Sequence, residues 1–152
     1  KQALFNALVD EAHENTVRFL EAATNDPRSA AEKLIDVGVS YLDYFAGLKS
    51  PPRFFMIMNE MAIRDAAIRD RVKRIHDRFV TDVSQLIAEG VQAGHFRDLD
   101  VMATALMLKA LIDGLAGQAA VGIRPDVARL STDGVRLLME GLLMPGKGLT
   151  DD

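Results

Sequence analysis

The sequence predicts an all-α fold, a bundle of six helices that form one domain. Apolar residues recur with a helical period along every long stretch, and no stretch shows the alternation typical of a strand. Proline, glycine and capping residues divide the chain into six such stretches. A chain of 152 residues can bury one core. We therefore expect one domain over residues 1–144 and a frayed, glycine- and aspartate-rich tail over residues 145–152.

The first three helices are separated by two breaks that contain proline. Asp26 and Pro27 end the first helix and begin the second, with Asp26 as the cap and Pro27 in the first turn. Pro51 and Pro52 stop the second helix and open the third. The predicted helices cover about residues 1–23, 28–48 and 53–64.

The last three helices are marked by capping residues. Gly94 stands where a left-handed cap ends the fourth helix, and Asp98 is suited to cap the fifth. Gly122 ends the fifth helix, and Pro125 with Asp126 starts the sixth. The predicted helices cover about residues 66–93, 101–121 and 125–143.

The fifth helix is apolar almost all round, which is typical of a helix that is buried on more than one side. Its polar side chains are Thr104, Lys109, Asp113 and Gln118. Large residues lie on one face and pack inside the chain, and small residues at helical spacing form a seam for a partner's helix. That seam consists of Ala103, Ala110, Gly114, Gly117 and Val121. The pattern predicts an obligate oligomer.

Composition and charge exclude several classes of protein. The helix over residues 101–121 is long enough to cross a bilayer, but Lys109 and Asp113 would each cost about 2.5–3.5 kcal/mol at its centre. The net charge of -4 gives no attraction to nucleic acid, and the chain has no cysteine. We predict no membrane span and a cytoplasmic location. The chain opens without a capping residue, as if inside a helix, so we expect a segment upstream of Lys1.

The sequence contains no set of residues with the types and spacing typical of a catalytic site. A di-iron bundle needs two Glu-x-x-His motifs with two further carboxylates, and the nearest match is the single pair Asp10 and His13. There is neither a Gly-x-Ser-x-Gly elbow nor a glycine-rich phosphate loop. We therefore predict a protein that is not an enzyme and holds neither metal nor cofactor.

Methionine and aromatic residues concentrate on the second and third helices and predict either a filled core or the wall of a ligand pocket. His76 lies on the flank of a buried stripe, as a satisfied boundary histidine or as a polar group in the pocket. Few charges accompany these residues, which favours an apolar or aromatic ligand. The candidate ligand-binding residues are Tyr41, Tyr44, Phe45, Met58, Met61, His76, Phe79, Val83, Met107 and Leu111.

Four segments together resemble the TetR/AcrR-like bacterial transcription regulators. They are KQALF at residues 1–5, LIAEGVQAGHFR at 86–97, ALIDGL at 110–115 and DGVRLLMEGL at 133–142. The resemblance implies an N-terminal helix-turn-helix head, absent from this chain, and a C-terminal helical domain that senses ligands and dimerises. It also implies that the last two helices form a four-helix interface with a second subunit.

The sequence thus predicts the ligand-sensing and dimerisation domain of a TetR-like regulator, usually a repressor. An apolar or aromatic effector would release operator DNA, which is bound only through the missing head. The predicted interface of the homodimer consists of Ala103, Ala110, Gly114, Gly117, Val121, Leu130, Gly134 and Leu138. The alternatives are a helical interaction module with a filled core and a helical enzyme, which would hold metal or show turnover.

Overall fold

The computed structural model describes residues 2–46, 52–123 and 126–143 and confirms the predicted all-α bundle of six helices. The terminal helix, as we call the sixth, has three consecutive segments: Val127–Arg129, a π-helical turn Leu130–Gly134, and Val135–Leu142. The tail over residues 145–152 and the break at Ser50-Pro51 lie outside the described residues. The other helices are α1 (Gln2–Thr24), α2 (Ala30–Ala46), α3 (Pro52–Arg64), α4 (Ala66–Gln92) and α5 (Val101–Ala120).

The cap of α2 is Ser29 and not Asp26, so the predicted start of this helix is wrong by two residues. Ser29 and Glu32 form a capping box, in which the Ser29 backbone N–H donates to Glu32 Oε2 and the Glu32 N–H donates to Ser29 Oγ. Asp26 instead accepts hydrogen bonds from the backbone and the side chain of Arg28. These bonds lower the pKa of Asp26 to about 2.

The cap of α5 is likewise displaced, from the predicted Asp98 to Asp100, whose side chain accepts from the Ala103 N–H at 2.9 Å. Asp65 caps α4 by accepting from the backbone N–H groups of Ala67 and Ile68. Two carboxylates that stand two residues apart have the same capping chemistry. Only the path of the chain decides between them.

The core surrounds α4, which packs against α1, α2, α3 and α5. Apolar residues recur with a helical period along its inner face, and this period explains why the sequence predicts its bounds to within one residue. Gly94 follows with φ 71°, the left-handed cap that the sequence predicts. The buried apolar residues of the main cluster are Leu20, Ala30, Ala31, Leu34, Val37, Tyr41, Phe79, Val80, Val83, Leu86, Ile87, Phe96, Ala105, Met139 and Leu143.

The link between α4 and α5 is fastened to the end of the terminal helix. Phe96 and Leu143 form an isolated antiparallel bridge. The Arg97 backbone N–H donates to the Leu142 carbonyl at 2.9 Å, and Arg97 Nε donates to the Leu143 carbonyl at 2.8 Å. Phe96 is 2% exposed, and its ring lies against Gly90 of α4. A glycine is needed there because a Cβ atom would lie 2.2 Å from the ring.

The π-helical turn moves the inward face of the terminal helix by one residue. Regular α-helical spacing from Leu130 predicts Gly134 and Leu138 on that face. In the structure Met139 is buried, and Val135 and Leu142 pack against the core. Leu138 lies on the exposed side instead. The extra residue of the π turn accounts for this shift.

Helix α5 has one inner face, which packs in the bundle, and one outer face, which is exposed in the single chain. Ala105, Lys109 and Ala116 are buried, whereas Met107 is 69% exposed and Leu111 is 49% exposed. Met107 and Leu111 therefore share the outer face with Ala103, Ala110 and Gly114, a correction to the opposite faces expected from the sequence. Among the described helices, α5 alone has the length and apolar composition to span a membrane. Its inner face packs in the bundle.

Candidate functional site

A cavity of about 150 Å³ lies among α1, α2, α3, α4 and α5 and is the candidate ligand site. Four aromatic rings and one methionine make its wall mostly apolar, and a few polar side chains interrupt that wall. Small-molecule sites have this character. The described lining residues are Ala12, Asn15, Thr16, Phe19, Ser40, Tyr41, Phe54, Phe55, Met58, Ile75 and Lys109.

The rings around this cavity are held by contacts with each other. Tyr41 makes edge-to-face contacts with Phe19 at a centroid distance of 5.5 Å and with Phe79 at 4.9 Å. The Tyr41 hydroxyl donates to Thr16 Oγ1 at 3.4 Å, and Thr16 Oγ1 donates to the Ala12 carbonyl at 3.0 Å. This chain of hydrogen bonds fixes the polar edge of the cavity between α1 and α2.

Lys109 is the charged member of the described lining, and it is only 7% exposed. Its Nζ lies 5.8 Å from the centroid of Phe55 and 5.6 Å from that of Phe79. Both distances suit cation–π attraction. Nζ also forms an ion pair with Asp113, one turn further along α5.

A larger cavity of about 440 Å³ lies between α5 and the terminal helix, with α2 and α4 at its floor. Its described lining is apolar except for Gln118. Ala110 and Gly114 line one side of it, and Leu137 and Leu138 line the other. All four of these residues are exposed, so the cavity opens at the surface of the chain.

Phe79 lies between the two cavities. It lines the larger cavity, whereas Tyr41 and Lys109, which contact its ring, line the smaller one. Phe79 is also one of the largest fully buried side chains of the described core.

The predicted ligand-binding residues are divided between these places. Tyr41 and Met58 line the smaller cavity. Phe79, Val83 and Leu111 line the larger one. Met61, His76 and Met107 line neither. The side chains of Tyr44 and Phe45 lie outside the described residues.

Sequence reasoning missed the contribution of α1, which supplies four lining residues, and it missed Lys109 as a lining residue. Thr16 and Phe19 lie at helical spacing on one face of α1, but nothing in the sequence indicates that this face borders a cavity. A lysine at the centre of an otherwise apolar helix was the available signal for Lys109, because such a charge needs a partner.

The predicted interface residues lie mainly on one outer surface. Ala103, Ala110, Gly114, Val121 and Leu138 are exposed. Leu130 and Gly134 are half-buried on the wall of the larger cavity. Gly117 differs, because it is half-buried and a Cβ atom there would lie 3.9 Å from Met56 Sδ of α3.

Metal binding finds no support in the described part of the chain, which contains no group of three or more suitable side chains. His13 is half-buried rather than a surface histidine, and its Nδ1 is buried without a hydrogen-bond partner among the described residues.

The family model of BetI-type transcriptional repressor C-terminal domains matches residues 55–142. This match defines the class of the protein as a transcriptional regulator, as predicted, and not an enzyme. The chain belongs to the TetR family, as a C-terminal domain of the BetI type. No curated protein matches the chain significantly.

Solved structures of TetR-type regulators share the fold. The MbdR regulator from Azoarcus sp. CIB aligns with a TM-score of 0.76 and 23% identity over 94% of this chain and 77% of its own. SmeT, the repressor of the Stenotrophomonas maltophilia multidrug efflux pump SmeDEF, aligns with a TM-score of 0.70 and 18% identity over 95% of this chain and 83% of its own. The regulator FadR from Bacillus subtilis, in complex with stearoyl-CoA, aligns with a TM-score of 0.66 and 22% identity over 88% of this chain and 74% of its own.

Proposed function

We propose that the chain is the effector-sensing and dimerisation domain of a cytoplasmic TetR-family repressor. Its effector is a small apolar or aromatic molecule that occupies the 150 Å³ cavity, and its binding releases operator DNA. The observation that carries this proposal is an apolar cavity with a small set of polar lining residues, Asn15, Thr16, Ser40, Tyr41 and Lys109. The larger cavity lacks such a set, because Gln118 is the polar residue of its described lining.

A thermal shift measurement with a library of apolar and aromatic compounds tests effector binding. A compound at 100 times its Kd adds about 2.7 kcal/mol to the free energy of unfolding, which raises the Tm of a domain of this size by about 5–10 °C. Ala12→Leu fills the cavity and is expected to remove the shift. Ala7→Leu, on the exposed side of α1, is the matched control that retains it. Absence of any shift would favour the alternative, a helical module with a filled core.

The second part of the proposal is a homodimer formed through the outer face of α5 and the terminal helix. Met102, Leu106, Met107 and Leu111 leave a large apolar surface on α5, and Leu137 and Leu138 continue it on the terminal helix. Apolar surfaces of this kind mark protein interfaces in chains that are not membrane proteins. The small residues of the seam, Ala103, Ala110 and Gly114 among them, permit close approach of a partner's helix.

Gly114→Leu is expected to convert this dimer to a monomer. A Cβ atom at Gly114 meets nothing within 4 Å in the single chain, and leucine favours a helix over glycine by somewhat under 1 kcal/mol. The substitution therefore leaves the fold intact and blocks only the partner's approach. Size-exclusion chromatography with light scattering measures the change, and Ala22→Leu, exposed on α1, is the control. A Gly114→Leu chain that remains a dimer contradicts this placement of the interface.

The regulatory step is proposed as a shift between two arrangements of the domain. Helix α5 brings Lys109 to the effector cavity and Ala110, the next residue, to the outer face. An effector that binds one arrangement more tightly shifts the equilibrium by that difference in affinity. Since the family match is to a C-terminal domain, we place the DNA-binding head N-terminal to α1. In the protein that carries both parts, effector is expected to weaken operator binding in a gel-shift or fluorescence anisotropy assay.

A further inference from the structure

Lys109 is an unusual component of an effector cavity because a buried ammonium group is costly without full compensation. It has one carboxylate partner, Asp113, whose side chain is 34% exposed and is not part of the cavity lining. An ammonium group has three N–H donors. Among the described residues, Asp113 is the one hydrogen-bond acceptor of Lys109. The rings of Phe55 and Phe79 stabilise the positive charge but leave the other N–H donors available.

The volume of the cavity limits the size of a ligand that could bind beside the Lys109 ammonium. A cavity of about 150 Å³ lined by apolar side chains accommodates one benzene ring. The wall formed by Phe19, Phe54 and Phe55 offers ring edges and faces for such a molecule. The neutral polar residues of the lining, Asn15, Thr16, Ser40 and Tyr41, add no second charge. The cavity thus combines space for a single ring with one cationic group.

We propose that the effector is a monocyclic aromatic carboxylate, whose ring lies against the aromatic wall and whose carboxylate accepts hydrogen bonds from the Lys109 ammonium. This inference rests on the proposed function, because it assigns a ligand class to the same cavity. Asp113 competes with the ligand for the ammonium and is sufficiently exposed to be hydrated when the ligand replaces it. The carboxylate of the ligand therefore exchanges with the carboxylate of Asp113.

Calorimetric titration of the 152-residue chain with three probes tests the ligand class. The probes are benzoate, its neutral analogue benzamide and the cation benzylamine. Benzoate is expected to bind about 10- to 100-fold more tightly than benzamide, the factor that a charge-assisted hydrogen bond supplies. Benzylamine is expected to bind more weakly than either. If benzamide binds as tightly as benzoate, the carboxylate inference is overturned while the effector cavity stands. If neither these probes nor toluene binds, the effector cavity itself is refuted.

Two variants test whether the preference for benzoate over benzamide depends on the ion pair of Lys109 and Asp113. Lys109→Met keeps the length of the side chain, and it is expected to abolish the preference for benzoate while benzamide still binds. Asp113→Asn frees the ammonium and is expected to tighten benzoate binding about tenfold or more. A purely structural role for the pair predicts no gain in Asp113→Asn, so this variant is decisive even if Lys109→Met does not fold.

Lys33→Met is the matched control. Lys33 is also a buried lysine with a single carboxylate partner, Glu89, at 3.1 Å, but it is not part of the cavity lining. Its loss is expected to lower stability without changing the ratio of benzoate to benzamide affinity. A preference for benzoate that survives in Lys109→Met, or that disappears equally in Lys33→Met, overturns the assignment to Lys109.

Discussion

Replacing Phe79 with alanine is expected to lower the free energy of unfolding by about 3–5 kcal/mol, the usual cost of removing a buried aromatic ring. Phe79 is 1% exposed, contacts the Tyr41 ring and lies 5.6 Å from Lys109 Nζ. Its loss removes core packing and one of the two rings that stabilise the buried ammonium. Urea denaturation followed by circular dichroism measures the change, with Ile63→Ala, 77% exposed on α3, as a control expected within about 0.5 kcal/mol of the parent.

The same substitution has a second readout, because the Phe79 ring separates the two cavities. In Phe79→Ala the cavities of about 150 Å³ and 440 Å³ are expected to become continuous. A two-ring probe such as naphthalene should then raise the Tm of the variant, relative to its own ligand-free state, by more than it raises the Tm of the parent. A loss of stability below 1 kcal/mol would show that the surrounding helices collapse into the space, and naphthalene would then affect the variant no more than the parent.

Gly90→Ala is expected to destabilise the chain by about 2 kcal/mol, although alanine is ordinarily the better helix former. A Cβ atom at Gly90 would lie 2.2 Å from Phe96 Cδ2 and 2.4 Å from Cε2. The Phe96 ring is buried and its backbone is bridged to Leu143, so it has little freedom to move away. The Tm is expected to fall by about 4–8 °C.

Gly38→Ala in α2 is the matched control for this prediction. It places the same methyl group in a helix where nothing lies within 4 Å. The control is expected to gain up to about 1 kcal/mol from helix propensity. If Gly90→Ala is as stable as the parent, the contact between α4 and the following link is looser than described.

Helix α4 illustrates how much of the fold was predictable. Apolar residues recur along it with a helical period, so periodicity predicts its bounds to within one residue. The predicted caps of α2 and α5 are wrong by two or three residues because Asp26 and Asp98, like Ser29 and Asp100, have a side-chain oxygen that can accept from a backbone N–H. The final choice depends on where the chain enters the helix, which propensity does not encode.

Helix α5 shows why the candidate site was harder to predict. Its residues are apolar almost all round, so periodicity does not distinguish the inner face from the outer face, and the expectation that Met107 and Leu111 face inward is wrong. Lys109 and its two aromatic neighbours define the inner face only once α3 and α4 are in position. The polar side chains of α1, Asn15 and Thr16, resemble those of any exposed helix until the cavity beside them is seen.

The π-helical turn contains one residue more than a regular α-helical turn would need to join the same two ends of the terminal helix. In an ordinary helix, deletion of one residue rotates everything after it by about 100°. Here Leu130 and Val135 already lie where residues four apart would lie, so deletion of one residue from 131–134 is expected to give a regular helix that still directs Met139 and Leu142 inward. This turn is therefore the position at which the helix can gain or lose a residue over evolution while both of its ends stay in place.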